Sequence, residues 1–300
     1  MVNVIRKPFV IPAVICAVVI VWVLAWSFDP IINGHPSYLV FYFGFLIASV
    51  LALAWAFWKP ENAGRLWLSV PGAVVLILAT VGAWLLAPFA ATDVALDAMT
   101  STPRVEVTST GSWITLDPVG DSSGVGLVFQ PGARVDSRAY AHILRPLAEA
   151  GHPVVIVKQP LGIAFFANGF ASSWAEQHPE VDWAVGGHSL GGVVAAGNAS
   201  EDPALRDLVL WASYPASDVS DTPDLAAVSV FGTEDGFTEP ARVEETATDL
   251  PAGTTFVPVE GAVHSYFGDY GNQPGDGEPT VPRGEAQAQI VSATLSFLDR

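Results

Sequence analysis

The sequence predicts a mostly parallel, doubly wound α/β sheet that follows three transmembrane helices. The first part of the chain contains three apolar runs of about 20 residues or more. Each run is long enough to cross a bilayer as a helix. Beyond residue 124, apolar segments of strand length alternate with helical segments, a pattern typical of a parallel sheet covered on both faces. One of these strand segments runs into a glycine-rich turn with a serine at its centre. We therefore expect a membrane module and a separate globular domain.

The membrane module is predicted to occupy residues 1–91, with helices at about residues 9–28, 38–58 and 66–91. The first 90 residues hold few charged side chains: Arg6, Lys7, Asp29, Lys59, Glu61 and Arg65. The four bases lie before the first run and between the second and third. Because lysine and arginine favour the cytoplasmic side, we expect a multi-pass protein of the cell membrane with a cytoplasmic N-terminus. Everything after about residue 92 is then extracytoplasmic.

The rest of the chain is strongly acidic. Removing the two acids and four bases of the first 90 residues from the totals of 30 and 13 leaves 28 acids and 9 bases. Such a balance opposes binding to nucleic acid. The single cysteine, Cys16, cannot form an internal disulfide, and zinc sites built on paired cysteines are excluded.

Residues 92–124 are predicted to be a linker and an N-terminal β-hairpin, with strands at 104–109 and 113–117. The remaining residues, 125–300, are predicted to form the catalytic domain. Its expected strands are 126–129, 153–157, 183–185, 208–211, 227–231 and 255–258. Its expected helices are 137–150, 190–199, 241–250 and 285–298. Functional residues of such sheets collect at the carboxyl ends of the strands.

One strand end carries the pattern Gly187-His188-Ser189-Leu190-Gly191. An apolar strand before it and a helix of small residues after it are typical of a nucleophile elbow, a sharp turn that exposes the serine hydroxyl above the sheet. The alternative is a tight glycine turn with an incidental serine. The flanking strand and helix favour Ser189 as a nucleophile.

A serine nucleophile needs a base, and the base needs a group that orients it. Asp235 follows the predicted strand 227–231, and His264 follows the last strand. His264 is the only histidine downstream of Ser189, which is where this type of fold places it. Glu234 and Asp218 remain alternative acids.

A tetrahedral intermediate also needs hydrogen-bond donors for its oxyanion. The backbone N–H of Leu190, directly after the nucleophile, is the first candidate. The loop after strand 126–129 offers the Ala133 N–H as the second. The alternative for that loop is a plain turn at Pro131-Gly132.

Three segments together resemble the α/β-hydrolase superfamily: Phe129–Lys158, Gly186–Gly192 and Phe231–Gly236. More narrowly, they are similar to an uncharacterised bacterial, membrane-anchored branch near the dienelactone-hydrolase and carboxylesterase-like members. The likeness covers about residues 125–300. It implies a catalytic triad of Ser189, Asp235 and His264.

Two departures limit what this resemblance implies. The common His-Gly of the oxyanion loop is Pro131-Gly132 here, so the detail of that loop is not carried over. Dienelactone hydrolases use a cysteine nucleophile, whereas this chain has Ser189, so their substrate is not carried over either.

The leading hypothesis is a serine esterase of the carboxylesterase or lipase type that acts on a small-molecule or lipid ester through an acyl-enzyme. This chemistry needs no metal and no cofactor. The acidic residues Asp269, Asp276 and Glu278 do not have the spacing of a calcium loop. The alternatives are an acyltransferase that uses the same triad, and a non-catalytic binding module of a membrane assembly.

Overall fold

The computed structural model describes residues 8–58, 66–120, 122 and 124–300. The chain divides into two compact units, Met1–Pro88 and Phe89–Arg300. The four bases that predict the membrane orientation, Arg6, Lys7, Lys59 and Arg65, lie outside the described residues.

Three apolar helices make up the described part of the first unit: α1 (Val10–Asn33), α2 (Ser37–Trp58) and α3 (Leu66–Leu85). By length and composition, α1 and α2 can each cross a membrane, and the described side chains of α3 form a shorter apolar stretch, Val70–Leu85. Most large apolar side chains of α1 and α2 are exposed, as lipid-facing side chains would be. Two of the three predicted spans therefore meet the requirements for crossing a bilayer.

The helix ends differ from the predicted ones. Helix α1 continues to Asn33 across Ser27, a non-helical residue shortly before Pro30. Helix α3 ends at Leu85, so the predicted third span is six residues too long. Pro88 explains this end, because proline lacks the N–H that would continue the helix and disfavours helical geometry in the residue before it.

The second unit is built on one eight-stranded sheet. Its strands are β1 (Val105–Ser109), β2 (Trp113–Pro118), β3 (Val125–Gln130), β4 (Val154–Val157), β5 (Asp182–His188), β6 (Asp207–Trp211), β7 (Ala226–Gly232) and β8 (Thr255–Val259). Their spatial order is β1-β2-β4-β3-β5-β6-β7-β8. β1 and β2 form an antiparallel hairpin, and β2 pairs antiparallel with β4. The other neighbouring strands are parallel.

Helices cover both faces of this sheet. They are α4 (Asp93–Asp97), α5 (Ala141–Glu149), α6 (Phe170–Gln177), α7 (Leu190–Glu201), α8 (Pro240–Glu245) and α9 (Arg283–Leu298). One hydrophobic core contains side chains of α5 and α9, and a second contains side chains of α6 and α7. The doubly wound α/β architecture with a mostly parallel sheet is confirmed.

Two predicted helices are interrupted, and two short helices, α4 and α6, were not predicted. The first turn of the predicted helix 137–150 is a 3-10 helix, Ser137–Tyr140, whose N-cap Asp136 accepts a hydrogen bond from the Arg138 N–H. The predicted helix 241–250 likewise divides into α8 and the 3-10 turn Ala247–Asp249. These two unpredicted helices have only five and eight residues and therefore a short periodic pattern.

Candidate active site

Strained backbone marks the carboxyl ends of four neighbouring strands. A non-glycine residue with positive φ follows each of β4, β3, β5 and β6: Leu161 (53°), Arg134 (63°), Ser189 (52°) and Ala212 (45°). Residues other than glycine rarely adopt this conformation, which costs free energy and clusters at functional sites. The strain therefore points to this edge of the sheet.

Ser189 is the single residue between strand β5 and helix α7, and its φ and ψ are 52° and −124°. The glycines around it make room for this sharp turn. A Cβ on Gly187 would overlap the backbone of Gly191, and a Cβ on Gly191 would overlap the carbonyl oxygen of Gln130. The two glycines of the motif are therefore needed because backbone passes against backbone there.

A second contact holds the turn from the side of β6. Ser213 Oγ donates a hydrogen bond of 2.7 Å to the Ser189 carbonyl oxygen. A Cβ on Gly192 would overlap the Ser213 side chain. Ser189 itself remains partly exposed. The residue is therefore accessible although these contacts fix its backbone.

Asp235 and His264 are brought together by the ends of β7 and β8. His264 Nδ1 lies 2.9 Å from Asp235 Oδ2 and 3.1 Å from Oδ1, and both side chains are buried. Asp235 Oδ1 also accepts hydrogen bonds from the backbone N–H groups of Phe237 and Thr238. An ionised Asp235 fixed in this way holds the proton of His264 on Nδ1 and leaves Nε2 as the basic nitrogen.

The two alternative acids lie elsewhere. Glu234 is exposed, and Asp218 is exposed and accepts hydrogen bonds from the backbone and side chain of Ser220. These bonds to Ser220 lower the pKa of Asp218. Of the three candidate acids, Asp235 is the one that contacts His264.

His264 also lies beside the elbow. Its ring centroid is 4.5 Å from that of His188, the residue before Ser189, and 5.3 Å from the Phe237 ring. Within the part of the chain that is described, Ser189 Oγ forms no hydrogen bond with His264. The site therefore brings the three predicted residues to one edge of the sheet, with Asp235 and His264 in direct contact.

Asp276 joins the loops of the acid and the histidine, a role that the sequence did not reveal. Its Oδ1 accepts hydrogen bonds from the N–H groups of Gly236, His264 and Gly277, and its Oδ2 accepts one from Ser265. One carboxylate thus ties the residue after Asp235 to His264 itself. The only sequence signal was an acidic residue in a glycine-rich loop.

The two predicted oxyanion donors lie on segments that touch. The loop after β3 meets the start of α7, because the Gln130 and Pro131 carbonyls pack against Gly191. Gln159 fixes this loop by donating a hydrogen bond of 2.9 Å to the Pro131 carbonyl. Among the described residues, the N–H groups of Leu190 and Ala133 donate no hydrogen bond to the chain.

Comparison with protein families agrees with this architecture. Residues 126–289, more than half of the chain, match the model of the alpha/beta hydrolase family. The chain belongs to the α/β-hydrolase family. No protein of curated function matches the sequence.

Solved structures of this family share the fold. An inferred CIB-like hydrolase from Thermoplasma acidophilum is 16% identical, with 65% of this chain and 96% of that chain covered and a TM-score of 0.50. An inferred dienelactone hydrolase from Klebsiella pneumoniae is also 16% identical, with 65% and 98% covered and a TM-score of 0.50. The expected resemblance to dienelactone-hydrolase-like members is confirmed. At these identities the likeness concerns the fold alone.

Proposed function

We propose that this α/β-hydrolase is a serine hydrolase that cleaves an ester through an acyl-enzyme. The observation that carries the proposal is the strained Ser189 at an elbow beside the buried Asp235–His264 pair. A hydroxyl becomes an effective nucleophile when a neighbouring base, itself oriented by a third group, can take its proton. The hydrogen bond between Ser189 and His264 would form on substrate binding, since catalytic hydrogen bonds often tighten only then.

The reaction follows from these roles. His264 Nε2 takes the proton of Ser189 Oγ as Oγ attacks the ester carbonyl, and the N–H groups of Leu190 and Ala133 stabilise the oxyanion. His264 then gives the proton to the departing alcohol, which leaves an acyl-Ser189. Water loses a proton to His264, attacks the acyl group and releases the acid. Asp235 stabilises the imidazolium in both half-reactions.

A fluorophosphonate probe tests this proposal on the full-length protein in detergent. We expect covalent labelling of wild type at Ser189, identified by peptide mass spectrometry, and none in Ser189→Ala. Ser200→Ala is the matched control, because Ser200 is an exposed serine at the far end of the same helix, α7, and it should be labelled like wild type. A wild-type protein without label, or a label that survives in Ser189→Ala, would contradict the proposal.

We also propose that the three apolar helices anchor the enzyme in the cell membrane, with the hydrolase domain outside the cytoplasm. The lengths and exposed apolar surfaces of α1 and α2 support anchoring, and the bases of the sequence support the orientation. The proposed anchor also contains the apolar helix α3, which is 20 residues long.

Proteolysis of intact cells tests this orientation. We expect added protease to remove a tag at Arg300 while a tag before residue 8 is cleaved only after lysis. A cytoplasmic protein serves as the control for cell integrity. Protection of the C-terminal tag in intact cells would reverse the proposed topology.

A further inference from the structure

Behind the elbow, residues from three segments form one buried chain of hydrogen bonds. The Gly132 N–H donates to Tyr140 Oη at 2.9 Å, and Tyr140 Oη lies 2.8 Å from His188 Nδ1. Tyr140 is fully buried and His188 almost so. Gly132 precedes Ala133 in the oxyanion loop, and His188 precedes Ser189. The chain therefore links the two segments that carry the proposed oxyanion donors.

The direction of the protons in this chain follows from the chemistry of the groups. A phenol has one proton to donate and can also accept. Because Tyr140 accepts from Gly132, it completes its bonding by donating to an unprotonated His188 Nδ1. Burial, together with the neighbouring His264, lowers the pKa of His188 well below 6.5, which keeps its ring neutral. Burial also raises the pKa of Tyr140, so the phenol retains its proton.

This chain fixes the peptide group directly before the one that contains the Ala133 N–H. The Gly132 carbonyl accepts a hydrogen bond of 3.2 Å from the Val135 N–H, while the Gly132 N–H is held by Tyr140. The peptide groups on both sides of Gly132, one of which contains the Ala133 N–H, are thus each held by a hydrogen bond. A Cβ on Gly132 would lie only 2.8 Å from His188 Nδ1, so the loop rests directly on the Tyr140–His188 pair.

We propose that Tyr140 and His188 are positioning residues that aim the Ala133 N–H at the oxyanion of the tetrahedral intermediate. This role rests on the proposed hydrolase function. A donor of this kind acts on charge that develops in the transition state. Its misplacement therefore lowers kcat and leaves the binding of the uncharged ester unchanged.

The test variant is Tyr140→Phe, which removes the hydroxyl and keeps the ring packed on Phe129 and His188. With p-nitrophenyl butyrate as the substrate of the full-length protein, we expect kcat to fall about 10- to 100-fold and KM to stay constant. The inhibition constant of a trifluoromethyl ketone, which forms an oxyanion on the serine, should rise by the same factor.

Two further comparisons of variants distinguish this positioning role from a general effect on packing. Tyr270→Phe removes the hydroxyl of another buried tyrosine near His188, one that bonds Gln273 instead of the oxyanion loop, and it should keep kcat within about twofold of wild type. His188→Asn retains an acceptor close to the position of Nδ1, so we expect it to keep more activity than His188→Val. If Tyr140→Phe does not fold, the comparison of His188→Asn with His188→Val still tests the inference.

A wild-type kcat in Tyr140→Phe would overturn the inference. A lower kcat without a matching loss of trifluoromethyl ketone inhibition would overturn it too, because the defect would then lie outside the oxyanion site. Fluorophosphonate labelling separates this failure from that of the enzyme proposal. If wild type labels at Ser189 and Tyr140→Phe turns over normally, only the positioning role fails. If wild type does not label, the hydrolase function itself fails.

Discussion

Replacing Ser189 by alanine is expected to lower kcat for p-nitrophenyl butyrate by about 10⁶-fold, and the double variant Ser189→Ala/His264→Ala should be no slower. The reason is that the base acts on the serine hydroxyl, so His264 has nothing to activate once Oγ is gone. The backbone donors at Leu190 and Ala133 stay in place, and a small residual rate over water should remain. Steady-state kinetics on purified full-length protein measure all of these rates.

Non-additivity is the decisive part of this prediction. We expect His264→Ala alone to cost about as much as Ser189→Ala, because the two groups act as one unit. Thermal unfolding of each variant checks that the fold is retained. If the two losses multiplied in the double variant, Ser189 and His264 would be acting independently, and the proposed proton transfer between them would be wrong.

The sequence was most informative where structure depends on local pattern. Apolar runs of strand length marked the central strands, and the glycines at positions 187 and 191 marked a turn too tight for a side chain. The order of Ser189, Asp235 and His264 followed from strands that end at one edge of the sheet. The pairing of Asp235 with His264 could be predicted because each lies within a few residues of the carboxyl end of a strand.

The supporting contacts could not be predicted, since they join residues that are distant in the chain. Tyr140 and His188 are 48 positions apart, and Asp276 is 40 positions from Gly236. Nothing local signals such a meeting. One indirect signal existed: a histidine at the end of a strand buried on both faces must find a polar partner, but the sequence does not say which residue provides it.

The end of the third apolar run shows a different limit. Hydropathy continues to residue 91, but helix α3 ends at Leu85 and the second compact unit begins at Phe89. The Phe89 N–H and carbonyl form hydrogen bonds with the backbone of Arg134 and Asp136. Apolar side chains of this segment therefore belong to a globular core, and composition alone does not distinguish a lipid-facing residue from a core residue.

Asp235→Asn is expected to lower kcat by about 10⁴-fold while the protein stays folded. Asparagine has nearly the same shape and can still accept the hydrogen bonds of Phe237 and Thr238. To do so it must keep its oxygen on those N–H groups, and its NH₂ then faces His264 Nδ1. Because Nδ1 must accept from that NH₂, the proton of His264 moves to Nε2, and the nitrogen that should take the serine proton is blocked.

The matched control for this variant is Asp218→Asn, which removes the same charge from an exposed acid that bonds Ser220. We expect its kcat to equal that of wild type within about twofold, since exposed substitutions away from the site have small effects. NMR of the imidazole protons would show the change of tautomer directly. The assignment of Asp235 as the orienting acid would be wrong if Asp235→Asn kept full activity, or if Asp218→Asn lowered kcat as much as Asp235→Asn does. Another group would then have to orient His264.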